Sequence, residues 1–194
     1  MDHNFFSMLF RMKYIDRWAL MRNSRSETLT EHTLETSILA HALAVIGTLR
    51  CQRTYSPDRA AVLGLFHDAH EILTGDMPTP VKYQNPQIET AFKGVEEAAN
   101  QSLLSMLPTD MAEVYSPLLR EQDETLRPLV KAADKLSALI KCIEERKAGN
   151  TEFEIAEQSV RALLEKSELP EVRIFMEEYL PAFERTLDEM RPEN

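Results

Sequence analysis

Apolar side chains recur along this chain at intervals of three and four, as in Val62-Phe66-Ala69-Leu73, while alternating β-branched runs are almost absent. This spacing predicts helices near 3–12, 30–50, 57–73, 88–107, 109–118, 124–148, 151–167 and 171–190. Thr28 or Thr30 offers a cap for the second helix, and Glu31, three residues after Thr28, completes a capping-box pattern. Ser56-Pro57-Asp58 reads as a cap with proline at the first helical position. Residues 17–29 form a loop; so does 74–87, which holds Gly75, Pro78, Pro80 and Pro86. Gly149-Asn150, Pro170 and Pro181 break the later helices.

The 57–73 helix is apolar or small on every side from Ala60 to Phe66, which predicts a central position in the fold. Its last turn then carries His67-Asp68-Ala69-His70-Glu71. At about 100° per residue, His67 and Glu71 share one side, opposite the Val62-Phe66-Ala69-Leu73 stripe. Burying a carboxylate and an imidazole without partners is costly, so the cluster calls for a metal, a hydrogen-bond network or a solvent-filled cleft. The plain alternative is an exposed helix end.

Within 30–50, one stripe is Leu34-Ile38-His41-Val45-Leu49 and another His32-Leu39-Leu43-Ile46. His41, inside the first, is expected to be a hydrogen-bonded core histidine. His32, at the helix start, is freer to point into a cleft. Asp134 lies off the stripe Ala133-Leu136-Ile140-Ile143 of its own helix, so periodicity alone reads it as a solvated aspartate.

Composition narrows the class. The 194 residues contain few glycines, and a chain of this length buries roughly 70% of its unfolded surface, enough for one all-α domain spanning 1–194 without staples. A formal net charge of −10 and the lack of any Lys/Arg run argue against nucleic acid as a partner, although a small anion could bind locally. No stretch approaches the apolar length of a membrane span, and the start carries no signal sequence, so no membrane partner and a cytoplasmic location are expected. Cys51 and Cys142 form no CxxC and are read as core residues in a reducing compartment.

The order His32, His67-Asp68, Asp134 resembles the His…His-Asp…Asp signature of the HD-domain metal-dependent phosphohydrolases. Five further segments sharpen the likeness: Ile15-Asp16-Arg17-Trp18, Met21-Arg22-Asn23, Glu31-His32, His67 through Asp76, and Pro78-Thr79-Pro80-Val81-Lys82-Tyr83. Together they look like the bacterial HD-domain 5′-deoxynucleotidases, most densely across 15–83 and more loosely after about 105.

The resemblance implies a compact HD-domain helical bundle, a homodimer, one divalent transition metal ion of the Co, Mn, Ni or Zn class, and hydrolysis of deoxyribonucleoside 5′-monophosphates. It implies His32, His67, Asp68 and Asp134 as metal ligands. Glu71 would orient or deprotonate the attacking water, Arg17 would hold the phosphate, and Asp76 would join these two as a catalytic residue. Trp18 would pack on the sugar; Asp76, Met77, Pro78 and Thr79, with Asp68 and Asp134, would contact the nucleotide. Selectivity for deoxyribose with little base preference follows from the same likeness. His70 stands where the family pattern has a small polar residue; it could be a spectator, a partner of Glu71 or an extra metal ligand.

The residue types suit the chemistry. Imidazole with carboxylate binds first-row divalent ions, and guanidinium matches phosphate as a planar fork. Taken alone, Arg17 would be a surface ion-pair residue, and Trp18 could equally be a core anchor. Two other classes stay open: an HD-type hydrolase of another phosphate ester, against which Arg17-Trp18 and the Pro78-Thr79-Pro80 loop argue, and a non-enzymatic helical adaptor, which would need no such cluster. The apolar helices after 105 are the expected dimer surface, unless the chain buries them internally.

Overall fold

A computed structural model describes residues 3–82 and 84–191, with the side chain of Thr79 outside the description. Ten α-helices follow one another among these residues: α1 (Phe5–Leu9), α2 (Leu29–Arg50), α3 (Pro57–Phe66), α4 (Glu71–Thr74), α5 (Thr79–Lys82), α6 (Pro86–Leu104), α7 (Thr109–Leu119), α8 (Arg127–Lys147), α9 (Glu154–Glu165) and α10 (Pro170–Glu178). Short 3₁₀ turns cover Phe10–Tyr14, Thr151–Phe153 and Leu180–Glu184. The described residues form no strand; one isolated antiparallel bridge joins Asp16 to Thr28.

Local chemistry explains most boundaries. Thr28 caps α2 and forms the full capping box with Glu31. Ser56 occupies the cap position of α3, with Pro57 opening the helix, but its side chain makes no capping bond. The 3–12 and 171–190 segments each divide into an α-helix and a 3₁₀ turn, the latter before Pro181. The 74–87 loop contains the one-turn helix α5.

The largest departure from the sequence expectation is the 57–73 helix, which stops at Phe66 and resumes at Glu71. Between them the chain closes tight turns: Ala69 N–H donates to Phe66 O, Glu71 N–H to Asp68 O, and Leu73 N–H to His70 O. These turns bring one donor atom from each of Asp68, His70 and Glu71 within 4.8 Å of the other two. His67 and Glu71 nevertheless both reach the surroundings of Asp68.

The main core draws Leu39 and Leu43 from α2, Leu63 from α3, Leu136 and Ile143 from α8, and Phe175 from α10. A smaller cluster joins Phe5, Ala69, Leu103 and Leu119. The helices after 105 therefore turn most of their apolar residues inward. Helices α2 and α3 approach closely at Gly64, where a Cβ would lie 2.8 Å from the Ser37 Cα, and the Ser37 hydroxyl donates to Ala61 O at 2.8 Å. Only glycine permits that approach, and it sets the residues after α3 against the start of α2. α3 is not apolar-buried all round, since Leu65 is 40% exposed. His41 is no core residue either: its side chain is 47% exposed, 4.0 Å from Asp58. Cys142 is buried and Cys51 half-buried, both as free thiols.

Candidate active site

The end of α3, the start of α2 and the middle of α8 converge on one buried group of ionisable side chains. His32 is fully buried and His67 is 7% exposed, with ring centroids 5.3 Å apart. His67 Nε2 lies 3.0 Å and His32 Nε2 3.6 Å from Asp68 Oδ2, and His32 Nε2 lies 3.2 Å from Asp134 Oδ1. The cluster is interior, which removes the exposed-helix-end alternative, and Asp134 is turned into it rather than solvated.

Each histidine is oriented from behind. His67 Nδ1 is 2.8 Å from Gly64 O, which can only accept, so Nδ1 carries the proton. His32 Nδ1 is 3.1 Å from Ser137 Oγ, whose own hydroxyl donates to Glu35 Oε2 at 3.1 Å, so His32 Nδ1 is again the donor. Both Nε2 atoms are buried and make no hydrogen bond. Two imidazoles presenting bare Nε2 lone pairs beside two carboxylates form a donor set that fits a first-row divalent ion. One donor atom from each of His32, His67 and Asp68 lies within 4.8 Å of the other two.

The electrostatics agree. Burial disfavours charge on His67, yet Asp68 and Asp134 push it up to about 9. Burial also opposes ionisation of Asp68 and Asp134, but His67 and His32 hold the first well below the usual carboxylate range, and His32 and Lys135 hold the second below it. Carboxylates strong enough to keep a proton on His67 would exchange that proton for a cation. Glu71, 6% exposed, is driven the other way: burial, Asp68 and Asp76 push it up to about 9.

Arg17 reaches the same Asp68 carboxylate. Its backbone N–H donates to Glu27 O at 2.9 Å, and Leu29 N–H to Ile15 O at 2.8 Å, tying the 15–18 segment to the head of α2. Its Nε donates to Glu27 Oε1 at 3.1 Å, and Nη1 stands 3.7 Å from Asp68 Oδ2. Burial disfavours the guanidinium charge, but Asp68, Asp134, Glu27 and Asp76 outweigh it. Arg17 is thus a buried site residue and not a surface ion pair.

Trp18 adopts φ 58°, a left-handed conformation that costs a non-glycine residue energy. Asp76 Oδ2 accepts its backbone N–H at 3.3 Å, and Phe153 backs the indole with ring centroids 5.3 Å apart. Trp18 is therefore anchored as a core residue would be, while its strained backbone places it between Arg17 and Asp76. Met77 and Pro78 are half-buried beyond Asp76; the Thr79 side chain and Tyr83 lie outside the described residues.

A cleft of about 1000 Å³ opens onto His67, Asp68 and Asp134, with Arg127, Lys131 and Lys135 along its α8 wall. Two of these cations are paired, Arg127 with Glu121 at 3.4 Å and Lys135 with Asp134 at 3.0 Å. Sequence reasoning missed Glu27, Glu35, Ser137 and Phe153, which hold Arg17, His32 and Trp18 from behind. Only their partners carried a sequence signal.

Residues 4–183 match the YfbR-like family, described as 5′-deoxynucleotidase YfbR-like. A 5′-deoxynucleotidase of Cronobacter sakazakii is 44% identical over 189 residues, covering 96% of this chain and 95% of that protein. The Escherichia coli 5′-deoxynucleotidase YfbR is 43% identical over 189 residues, with the same coverage. This chain belongs to the YfbR-like family. Solved HD-domain phosphohydrolases share the family's fold: one from Listeria innocua superposes with TM-score 0.82 at 24% identity, over 93% of this chain and 88% of its own. A cyanophage S-2L HD phosphohydrolase, described as bound to dA and one catalytic Zn2+ ion, superposes with TM-score 0.61 at 21% identity, over 95% and 96%. The helical-adaptor alternative has no support beside this membership. No helix among the described residues is long and apolar enough to cross a membrane.

Proposed function

We propose that the chain is a metal-dependent 5′-deoxynucleotidase, hydrolysing deoxyribonucleoside 5′-monophosphates to deoxynucleoside and phosphate. The observation that carries this reading is the pair of buried, unbonded Nε2 atoms of His32 and His67 converging on Asp68, with the buried Arg17 guanidinium 3.7 Å from the same carboxylate.

His32, His67, Asp68 and Asp134 hold one divalent ion of the Co, Mn, Ni or Zn class. When bound, the ion acidifies a water and neutralises phosphoryl charge. Arg17, oriented by Glu27, binds the phosphate oxygens through its remaining N–H groups. Glu71, buried within reach of Asp68, takes the proton of the water that attacks phosphorus and returns it to the 5′-oxygen as its bond to phosphorus breaks. Asp76 fixes the strained Trp18 backbone and, with Met77, Pro78 and Thr79, contacts the nucleotide. Asp68 and Asp134, which line the cleft, also contact the nucleotide.

The test is a phosphate-release screen over nucleoside monophosphates with several divalent ions. Release from deoxyribonucleotides of all bases, with little from other phosphate esters, is expected; release from none would refute the reading.

Trp18 is the proposed sugar wall. Against a rigid indole, a ribonucleotide must displace the ring or bury its 2′-hydroxyl unpaired, which costs about 1–3 kcal/mol. At about 1.4 kcal/mol per tenfold, kcat/KM for dAMP should exceed that for AMP by roughly tenfold to a hundredfold. Trp18→Ala should shrink that ratio more than it slows dAMP hydrolysis. Equal wild-type rates on AMP and dAMP would remove both the wall and the deoxyribose selectivity.

We also propose a homodimer, one catalytic domain (1–194) per subunit, working in the cytoplasm. A single main core running from Leu39 to Leu180 supports one domain, and the free thiols suit a reducing compartment. The dimer surface is assigned to α2 and α3, because Leu34, Ile38, Leu49 and Leu65 are 54%, 60%, 78% and 40% exposed. Light scattering at micromolar concentration should give twice the chain mass, and Ile38→Glu should give a monomer. A wild-type monomer would refute the assignment.

A further inference from the structure

Beside the His32–His67–Asp68 group lies a second convergence of ligand types. One donor atom from each of Asp68, His70 and Glu71 lies within 4.8 Å of the other two. The turn closed by Glu71 N–H to Asp68 O brings these residues together. His70 is 7% and Glu71 6% exposed. Glu71 Oε2 is buried and makes no hydrogen bond, while His70 turns Nε2 to Glu96 Oε1 at 3.5 Å, so Nδ1 is the ring nitrogen left for a ligand. Asp68 turns Oδ2 towards His32, His67 and Arg17, which leaves Oδ1 for another partner.

We propose that Asp68, His70 and Glu71 form a second divalent-cation site, with Asp68 bridging it to the first. A carboxylate can bridge two ions about 3.5–4 Å apart, and a set of two oxygens and one imidazole nitrogen suits Mn, Co or Zn. Behind His70 stands the carboxylate that a ligating imidazole needs: Glu96 Oε1 lies 3.5 Å from His70 Nε2 and 2.5 Å from Lys82 Nζ. Glu71 binds this ion through one oxygen and keeps the other for the attacking water. The site extends the hydrolase reading above and rests on the first ion site described there.

The test uses the full chain, stripped of metal with a chelator and titrated with Mn2+. Calorimetry and metal analysis should give two ions per chain, and electron paramagnetic resonance should show the exchange-coupled signal of a manganese pair. His70→Ser should bind one ion and lose the coupled signal. Glu96→Gln should weaken the second binding step about 10–100-fold while leaving the first unchanged. One ion per chain in saturated wild type, with dAMP still hydrolysed, would overturn the second site and leave the hydrolase reading intact. Two ions with a coupled signal in His70→Ser would overturn the role of His70. Binding of no ion by wild type would overturn both readings together. Because the coupled signal is read on wild type, the proposal stays testable even if a variant fails to fold.

Discussion

Dialysis against a chelator should abolish phosphate release from dAMP, and Asp134→Asn should lower both metal content and turnover. The protein side chains alone present one guanidinium to a phosphate dianion, and Arg17 already shares its charge with Glu27 and Asp68. Electrophilic stabilisation by a bound ion is worth several kcal/mol, so its loss should cost at least about 10³ in rate at about 1.4 kcal/mol per tenfold. Asp134→Asn is the more searching variant, because it removes one carboxylate oxygen 3.2 Å from His32 Nε2 and leaves the backbone and packing of α8 in place. Metal analysis and phosphate release, with circular dichroism to check folding, decide the matter. Undiminished hydrolysis by metal-free protein would end the metal-dependent reading, and full metal content in Asp134→Asn would remove that ligand.

Glu71→Ala should lose about 10²–10⁴ in kcat, the usual range for removing a general base, while still binding the first ion and the nucleotide. Glu71 is not among the first-ion ligands, yet burial beside Asp68 holds it where a water between them is within reach. Burial, Asp68 and Asp76 push the Glu71 carboxyl up to about 9, and a cation held by Asp68 would bring it down and free the carboxylate to take the proton. Glu71→Gln should lose activity to a similar extent, since the amide fits the same space and cannot take the proton. A rise in KM with kcat unchanged would place Glu71 in binding alone and take it out of the proton transfer.

How these residues meet divides along the range of the forces involved. Chain-local features were legible in the sequence: the Thr28–Glu31 capping box, Pro57 opening α3, the break at Gly149-Asn150 and the all-helical class all depend on neighbours within a turn. The candidate site residues could be named through their resemblance to a family pattern, although the periodicity around Asp134 pointed to solvent. Three things were decided only by tertiary packing. The tight turns after Phe66 carry no glycine or proline to announce them; they form where α3 has met α2 at Gly64 and the chain must turn His67 and Asp68 inward. Hydrophobicity alone could not tell a core stripe from an exposed one, so the Leu34-Ile38-His41 face of α2 read as interior while α8 and α10 filled the core on its other side. Finally, groups that orient the site, Ser137 behind His32 and Phe153 behind Trp18, come from elements more than 100 residues away in the chain. Their roles follow from contacts that exist only once the helices pack, because an imidazole's free nitrogen is set by whatever the folded chain places against its other one.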